Sequence, residues 1–341
     1  MNVTTVPLFR SMLDRFAVGY GVTTVERQFT IVPSIAQQLS DKIVEQSTFL
    51  PKINIVPVDE LKGENILGYA NAPVTGRTDT SQPGKEREPR NVLGMGRYAF
   101  ELHQTNADVA LPYRLIDAWA KFKDFAERYA RYVQQRMAND MEIIGWNGTS
   151  AAADTDAATN TLLQDVNKGW MQYMRDNLPA NILTQGKTAG EIRIGTGGDW
   201  DNLDVAVNDL LQGIPPYMRH DLVALVGSDL IAHEKAALYA VVGGKPTEKA
   251  MLAASMTTFG GLPWETPSNF PARGLVVTSY DNLSIYRQAD SWRRHIVDNP
   301  KRDQVEDYNS RNEGYVVETP EKFVAVEFSK VKLPAGAGAW G

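Results

Sequence analysis

Residues 112–148, PYRLIDAWAKFKDFAERYARYVQQRMANDMEIIGWNG, carry the strongest helical pattern in the chain. Apolar side chains recur every three or four residues, and charged side chains lie on the opposite face. The pattern predicts one long helix over 112–145, opened by Pro112 and ended by Gly145 and the Asn147-Gly148 pair. A helix of about 30 residues is about 45 Å long, which is unusual in a compact domain. No heptad repeat is sustained, so a coiled coil is not expected.

Downstream of this helix the pattern changes twice. Residues 201–279 alternate helical and strand-like segments, which indicates a compact α/β unit. Residues 280–332 are rich in strand patterns, and the Thr319-Pro320-Glu321 turn between two of them predicts a β-hairpin. The last residues, 333–341, are rich in glycine and alanine and are predicted to form a loose tail.

Glycine and proline recur upstream of the helix, between residues 59 and 97, where apolar residues are few. This composition predicts a long extended loop or two-stranded hairpin that projects from the body. An isolated hairpin is marginal in water, so we expect this one to lie on a neighbouring subunit. The candidate residues for that contact are the alternating charges Lys85, Glu86, Arg87, Glu88 and Arg90.

The first 30 residues have the pattern of a separate arm. Leu8, Met12, Leu13 and Phe16 lie on one face of a predicted helix, which stops at the flexible Gly19-Tyr20-Gly21 segment. A helix this short is marginal alone and needs a partner surface. That surface belongs either to another protein or, in the alternative interpretation, to the chain's own domain.

The composition excludes several classes of protein. Of the 341 residues, 43% are hydrophobic, which is enough for a sizeable core, and the formal charge of -6 argues against a dedicated nucleic-acid binder. The absence of cysteine excludes disulfides, thiolate metal sites and cysteine nucleophiles. No apolar run is long enough for a transmembrane helix, and Arg10, Asp14 and Arg15 interrupt any secretory signal.

No catalytic, metal or cofactor site is predicted. The segment Gln185-Gly186-Lys187-Thr188 ends like a phosphate-binding loop, but Asn181 stands where the motif requires glycine. None of the four histidines has a second histidine at the spacing of a helical metal site. Ser228 follows a predicted strand, yet the Gly-x-Ser-x-Gly elbow is absent and helix capping explains this serine. We therefore expect a protein that is not an enzyme.

The order of an arm, a projecting loop, a long helix, an α/β unit and a returning sheet resembles the Hong Kong 97-type capsid fold of tailed phages. Short stretches resemble the major capsid proteins of peduovirus-type (P-two-like) myophages, in the same order along nearly the whole chain. These stretches are FLPKINIVPV (49–58), KGE (62–64), DAWA (117–120), GWNG (145–148), LQDV (163–166), GW (169–170), NLSIY (282–286), RR (293–294), NPK (299–301) and YVVE (315–318).

The resemblance implies an α+β fold and a role for each part of the chain. In that family the N-terminal segment is removed during maturation, and the matching junction here is Phe29-Thr30. Leu8, Met12 and their neighbours on the stripe would face the internal scaffold before this cut. The implied parts are a cleavable segment (1–29), an N-terminal arm (30–57), an extended loop (58–100), a peripheral domain (101–200 and 280–332) with its spine helix (112–145), and an axial domain (201–279).

The same resemblance implies the partners. Copies of the chain would form hexamers and pentamers of an icosahedral virion shell, assembled in the host cytoplasm. The other expected partners are an internal scaffolding protein that is also the maturation protease, a portal protein, and packaged DNA bound without sequence specificity. No membrane contact and no cofactor are expected. Two alternatives remain: an encapsulin-like compartment shell, and an α/β enzyme of unknown type.

Overall fold

A computed structural model of the chain describes residues 1, 5–70, 75, 77, 93–119, 124–242, 256–336 and 338–341. The helices are α1 (Thr5–Tyr20), α2 (Pro33–Val44), α3 (Tyr113–Trp119), α4 (Phe125–Asn147), α5 (Trp170–Asn177), α6 (Leu203–Gln212) and α7 (Ser228–Val242). The strands up to residue 193 are β1 (Phe29–Thr30), β2 (Asn54–Val58), β3 (Lys62–Ala70), β4 (Leu93–Glu101), β5 (His103–Asn106), β6 (Val109–Pro112), β7 (Ile182–Leu183) and β8 (Ile192–Arg193). The later strands are β9 (Val223–Val226), β10 (Thr258–Phe259), β11 (Leu262–Glu265), β12 (Leu275–Thr278), β13 (Leu283–Gln288), β14 (Arg293–Asn299), β15 (Gln304–Val317), β16 (Val324–Val326), β17 (Val331–Lys332), β18 (Pro334–Gly336) and β19 (Ala339–Trp340).

The long helix differs from the prediction of one helix over 112–145. Pro112 is the last residue of β6, where it pairs with Gln304, so it ends a strand instead of opening a helix. Proline is tolerated there because the end of an edge strand can lose one hydrogen-bond donor. Helix α3 begins at the next residue, and α4 runs from Phe125 to Asn147. Residues 120–123 lie outside the described part of the chain.

The first sheet is organised around the 14-residue strand β15. Strands β13 and β14 flank it in antiparallel register, β5 and β6 pair with other parts of its length, and β2 adds a parallel edge beside β13. Helices α2, α4 and α5 pack on this sheet around the buried aromatic residues Phe49, Trp146 and Trp170. The Trp146 and Trp170 rings meet edge to face with centroids 4.9 Å apart.

The second sheet has the strand order β10-β11-β9-β12-β16-β7. Its central strands β9 and β12 are buried along their whole length, as expected for strands that are covered on both faces. Helix α6 packs on it through Leu203, Val207 and Leu210. The second core also takes in Ile192 and Val324, so it extends beyond the 201–279 segment that was predicted from the sequence.

The prediction of a β-hairpin around residues 319–321 is wrong. Strand β15 ends at Val317 in the first sheet, whereas β16 lies in the second sheet between β12 and β7. The intervening turn is held by Asn282, whose side-chain oxygen accepts the Thr319 N–H at 2.7 Å and whose amide donates to the Thr319 carbonyl at 3.0 Å. The turn therefore carries the chain from one sheet to the other.

The C-terminal segment is ordered, which differs from the loose tail that was predicted. Strands β18 and β19 form a small antiparallel pair, and Gly338 supplies the positive φ of 80° that its turn requires. The Arg193 guanidinium lies 5.5 Å from the Trp340 ring, and Arg273 donates to the Gly341 carbonyl oxygen at 2.6 Å. These contacts attach the C-terminal segment to the part of the chain that contains the second sheet.

Candidate functional site

The β3–β4 hairpin is the first candidate surface. Its strands pair over the nine residues of Lys62–Ala70, and within the described chain neither strand joins another sheet. An unpaired strand edge is a template for a second polypeptide. The charges predicted to make that contact, Lys85, Glu86, Arg87, Glu88 and Arg90, lie outside the described residues.

The root of the hairpin is anchored to the body through aromatic side chains. The Phe100 ring stands edge-on to Tyr286 at 4.9 Å, and the Tyr98 hydroxyl donates to Glu321 Oε1 at 2.8 Å. Tyr286 in turn donates to Glu318 at 3.0 Å. Burial, followed by the Glu318 carboxylate, raises the pKa of Tyr286, so this phenol stays protonated and continues to donate. The sequence marked the 319–321 turn but not its role as the anchor of the hairpin.

A cavity of about 510 Å³ lies beneath the hairpin root. Four of its charged side chains form two ion pairs: Lys62 Nζ is 2.6 Å from Glu101, and Lys168 Nζ is 2.8 Å from Asp176. Burial lowers the pKa of His103, which also lines the cavity, so this imidazole is neutral near pH 7. No nucleophile and base come together here, so the lining suits a protein contact better than catalysis.

The N-terminal helix α1 is the second candidate surface. Four residues of α1 were predicted to contact a partner surface. Of these, Met12 and Leu13 are buried, whereas Leu8 is 54% exposed. Phe16 is half-buried at the margin. The buried face packs on the chain's own third core, which includes Ile296 from β14. In this conformation α1 therefore packs on the chain's own domain, which is the alternative that the sequence left open.

A buried ion pair joins α1 to the body. Arg294 contacts Asp307 through two hydrogen bonds of 2.7 and 2.9 Å, and its guanidinium lies 5.1 Å from the ring centres of both Phe16 and Tyr20. Tyr129 also donates to Asp307, at 2.8 Å. Burial alone would lower the pKa of Arg294, but Asp307 raises it, so the charge persists. The sequence showed Arg293-Arg294 only as a small basic cluster; the covering aromatic residues are 270 or more positions away in the chain.

The predicted processing junction lies in a strand. Phe29 and Thr30 form β1, which pairs with Arg294 and Arg293 at the edge of the first sheet. The next residue, Ile31, is buried and donates its N–H to the Trp292 carbonyl at 2.8 Å. In this conformation the junction therefore already has a strand partner.

The described residues hold no group of three or more histidine, aspartate or glutamate side chains arranged to bind a metal. Within the same residues, no helix combines the length and the apolar character needed to cross a membrane. The prominent features of the site are thus two surfaces, the hairpin and the helix α1, each fixed to the body by aromatic and charged contacts.

Sequence comparison relates the chain to known proteins. Residues 8–328 match the family model described as phage major capsid protein, P2 family. The chain is 37% identical to the capsid proteins of Escherichia phage P2 over 349 aligned residues, which cover 97% of each sequence. It is 28% identical to the major capsid protein of Serratia phage KSP20, over 93% of this chain and 94% of that protein.

Structure comparison gives the same relationship. A chain in the procapsid of satellite phage P4, a structure that includes the size determination (Sid) protein, superposes with a TM-score of 0.77 and 35% identity, covering 98% of this chain and 99% of that one. The capsid of an empty GTA particle superposes with a TM-score of 0.52 at 15% identity, over 83% and 90% of the two chains, and shows a shared fold. The chain therefore has the Hong Kong 97-type capsid fold and belongs to the P2 family of phage major capsid proteins.

Proposed function

We propose that copies of this capsid protein assemble into hexamers and pentamers, which close into an icosahedral shell around the phage genome. The observation that carries the proposal is the β3–β4 hairpin, whose edges pair with no other sheet in the described chain. A strand edge of this kind gains its missing hydrogen bonds from a neighbouring subunit. The protein acts as a building unit of the shell and performs no catalytic step.

The parts of the subunit have separate roles in this proposal. The segment 58–100 is the extended loop that crosses a neighbour, and 30–57 is the N-terminal arm. The axial domain, 201–279, surrounds the symmetry axes. The peripheral domain consists of 101–200 and 280–332. The spine helix within it corresponds to α3 and α4 together.

The N-terminal segment 1–29 engages an internal scaffolding protein before it is cut near Phe29-Thr30. The exposed Leu8 supports this role, because it leaves an apolar side chain of α1 free to meet a partner. The structure matched above includes the Sid protein alongside the capsid protein of satellite phage P4. By analogy, the scaffold and maturation protease act on this chain in the host cytoplasm, and the portal occupies one vertex. DNA is enclosed without sequence-specific contacts, in keeping with the net charge of -6.

Electron microscopy of the full chain, expressed with and without its scaffold, tests the shell. We expect closed particles or capsomers, and a monomer that stays dispersed at high concentration would contradict the proposal. The content of the particles distinguishes the phage shell from an encapsulin-like compartment, because nuclease-protected DNA indicates the first and co-purified enzyme cargo the second. The match of residues 8–328 to a phage family favours the phage shell.

A charge reversal tests the loop. Changing Lys85, Arg87 and Arg90 together to glutamate should reduce the yield of shells and leave the melting temperature of the subunit nearly unchanged. Each exposed ion pair contributes only about 0–1 kcal/mol, but every subunit repeats the contacts. The matched control reverses Lys301 and Arg302, which lie outside the loop. An equal loss of shells in the control, or an equal fall in melting temperature, would contradict a role in assembly.

A further inference from the structure

Two arginines and one glutamate are buried together between the first sheet and the helices that cover it. Arg287 on β13 is 8% exposed, Arg311 on β15 is 4% exposed, and Glu313, two residues further along β15, is fully buried. Arg287 and Glu313 are directly opposite each other in the β13–β15 register. The three side chains therefore share one face of the sheet and carry a formal excess of one positive charge.

The two arginines differ in their hydrogen-bond partners. Arg311 Nε donates to Glu313 Oε2 at 2.6 Å, which is a strong charged contact. Arg287 donates one Nη to Ser40 Oγ and the other to the Met141 sulfur at 3.1 Å. Its Nε has no partner among the described residues, and no carboxylate accepts a hydrogen bond from this guanidinium. A buried charge without a paired counter-charge is unfavourable by several kcal/mol.

The electrostatic environment of Arg287 agrees with its lack of a hydrogen-bonded carboxylate. Burial, followed by the neighbouring charge of Arg311, lowers its pKa to about 10, although Glu313 and the exposed Asp41 act in the opposite direction. The surrounding acids therefore do not fully compensate the positive charge. An arginine side chain does not lose its proton near neutral pH, so the unused Nε–H keeps its positive charge and favours an anionic acceptor.

A small cavity beside Arg287 offers room for that group. It has a volume of about 80 Å³ and is lined by Arg287, Arg311, Gln37, Ser40, Ser291 and Trp292. Both guanidinium groups lie near the Trp292 ring, whose centroid is 5.8 Å from Arg287 Cζ and 5.4 Å from Arg311 Cζ. The one carboxylate in the lining, that of Asp290, is exposed. Since a water molecule occupies roughly 30 Å³, the space suits a group of a few non-hydrogen atoms and excludes a nucleotide or a peptide.

We propose that this cavity binds one small anion, of the size of chloride, between Arg287 and Arg311. The anion accepts the unused Nε–H of Arg287 and balances the excess buried charge. Binding then stabilises the contact of α2 with the sheet, because Ser40 on that helix is already bonded to Arg287. This site does not depend on shell assembly or on processing.

Melting temperatures of the full-length protein in sodium chloride and sodium gluconate, at equal ionic strength, test the proposal. We expect an additional rise of about 1–3 °C for each tenfold increase in chloride above its dissociation constant. Arg287→Gln should remove this difference between salts. The matched control is Arg293→Gln, an exposed arginine on β14, which should keep it. Equal melting in both salts, or a retained difference in Arg287→Gln, would overturn the proposal.

A direct measurement keeps the proposal testable if Arg287→Gln does not fold. Chlorine-35 NMR of the wild-type protein reports bound chloride as line broadening. We expect broadening that increases with protein concentration and that bromide reverses by competition. Broadening that is absent, or that bromide does not reverse, would overturn the site.

Discussion

Gly145 has no room for a side chain, because a Cβ atom at this position would lie 2.3 Å from the Trp170 ring. Helix α4 and the start of α5 approach each other closely here. Gly169, just before α5, has no room for a side chain either, because a Cβ atom there would lie 2.3 Å from the Gly145 carbonyl oxygen. The two glycines allow the large aromatic residues of the first core to pack between the helices. The GWNG and GW stretches of the sequence thus mark a helix–helix contact.

Gly145→Ala should lower the melting temperature of the subunit, because the buried Trp170 ring has to move in a closely packed core. Overpacking of this kind destabilises a protein by about 1–3 kcal/mol. Gly19→Ala is the matched control: its Cβ would meet nothing within 4 Å, and alanine favours a helix by about 1 kcal/mol over glycine. Calorimetry should show a fall for the first variant and no fall for the second. Equal behaviour of the two would contradict the close approach.

Glu313 is fully buried, accepts a hydrogen bond from Arg311 and lies opposite Arg287, so its charge should contribute to acid stability. Burial would raise its pKa, but Arg311 and Arg287 outweigh burial and lower it below the ordinary value of 4.5. A lowered folded-state pKa means that the stabilisation is complete above pH 4.5 and disappears as the pH falls through the lower value.

Glu313→Gln should destabilise the subunit by about 3–5 kcal/mol at pH 7, because two buried arginines lose their counter-charge. The difference from the wild type should shrink as the pH falls from 4.5 through the lower folded-state pKa, because the Glu313 carboxylate is protonated first in the unfolded chain and then in the folded one. Urea unfolding at a series of pH values measures both effects. A difference that does not change with pH would indicate a loss of packing instead of a loss of charge.

At the scale of elements, substitutions on the two faces of α1 should affect folding and the proposed assembly separately, because Leu13 is buried in the core and Leu8 is exposed to solvent. Leu13→Asp should lower the melting temperature of the isolated subunit, since it places a charge in the third core. Leu8→Asp should leave that temperature unchanged but reduce scaffold-dependent shell formation. Thermal melting and electron microscopy of the same two variants distinguish the roles. If Leu8→Asp assembles normally with scaffold, the exposed face of α1 is not the partner surface.

The spacing of apolar residues was enough to predict α1 and the alternation of helices and strands over 201–279, the range that contains α6, α7, β9 and β12. It could not show what covers each apolar face, because the partners are distant in sequence: Met12 packs in a core with Ile296 and Val305. The turn at 319–321 was recognised, but turn residues do not determine whether the next strand returns to the same sheet. Strand β16 goes to the other one because Asn282 fixes the turn.

The candidate surfaces were predictable to different degrees. The hairpin followed from its glycine and proline content and its lack of apolar residues. The buried pair of Arg294 and Asp307 did not, because the sequence does not show that Tyr20 and Phe16 cover it. Recognition of the fold depended on short stretches spread along the chain, none of which carries chemistry by itself.

For the whole molecule, the third core is shared between the N-terminal segment and the body. A chain that begins at Thr30 loses Phe9, Met12 and Leu13 from this core and exposes apolar residues such as Phe125 and Ile296. We expect the shortened subunit to melt at a lower temperature than the full chain and to bind more of a hydrophobic dye. The same cut made within assembled shells should leave them intact, because neighbours then cover the body. An unchanged melting temperature of the free shortened subunit would contradict the shared core.

The third core also joins segments that are synthesised far apart in time. Helix α1 leaves the ribosome before Ile296 and Val305, which it packs against and which are synthesised about 280 residues later. At about 5–20 residues per second, translation leaves α1 without these partners for roughly 15–60 s. Throughout that interval its apolar face is available to chaperones and to other newly made chains. We therefore expect the yield of folded subunit to depend on the rate of synthesis and not only on the final structure.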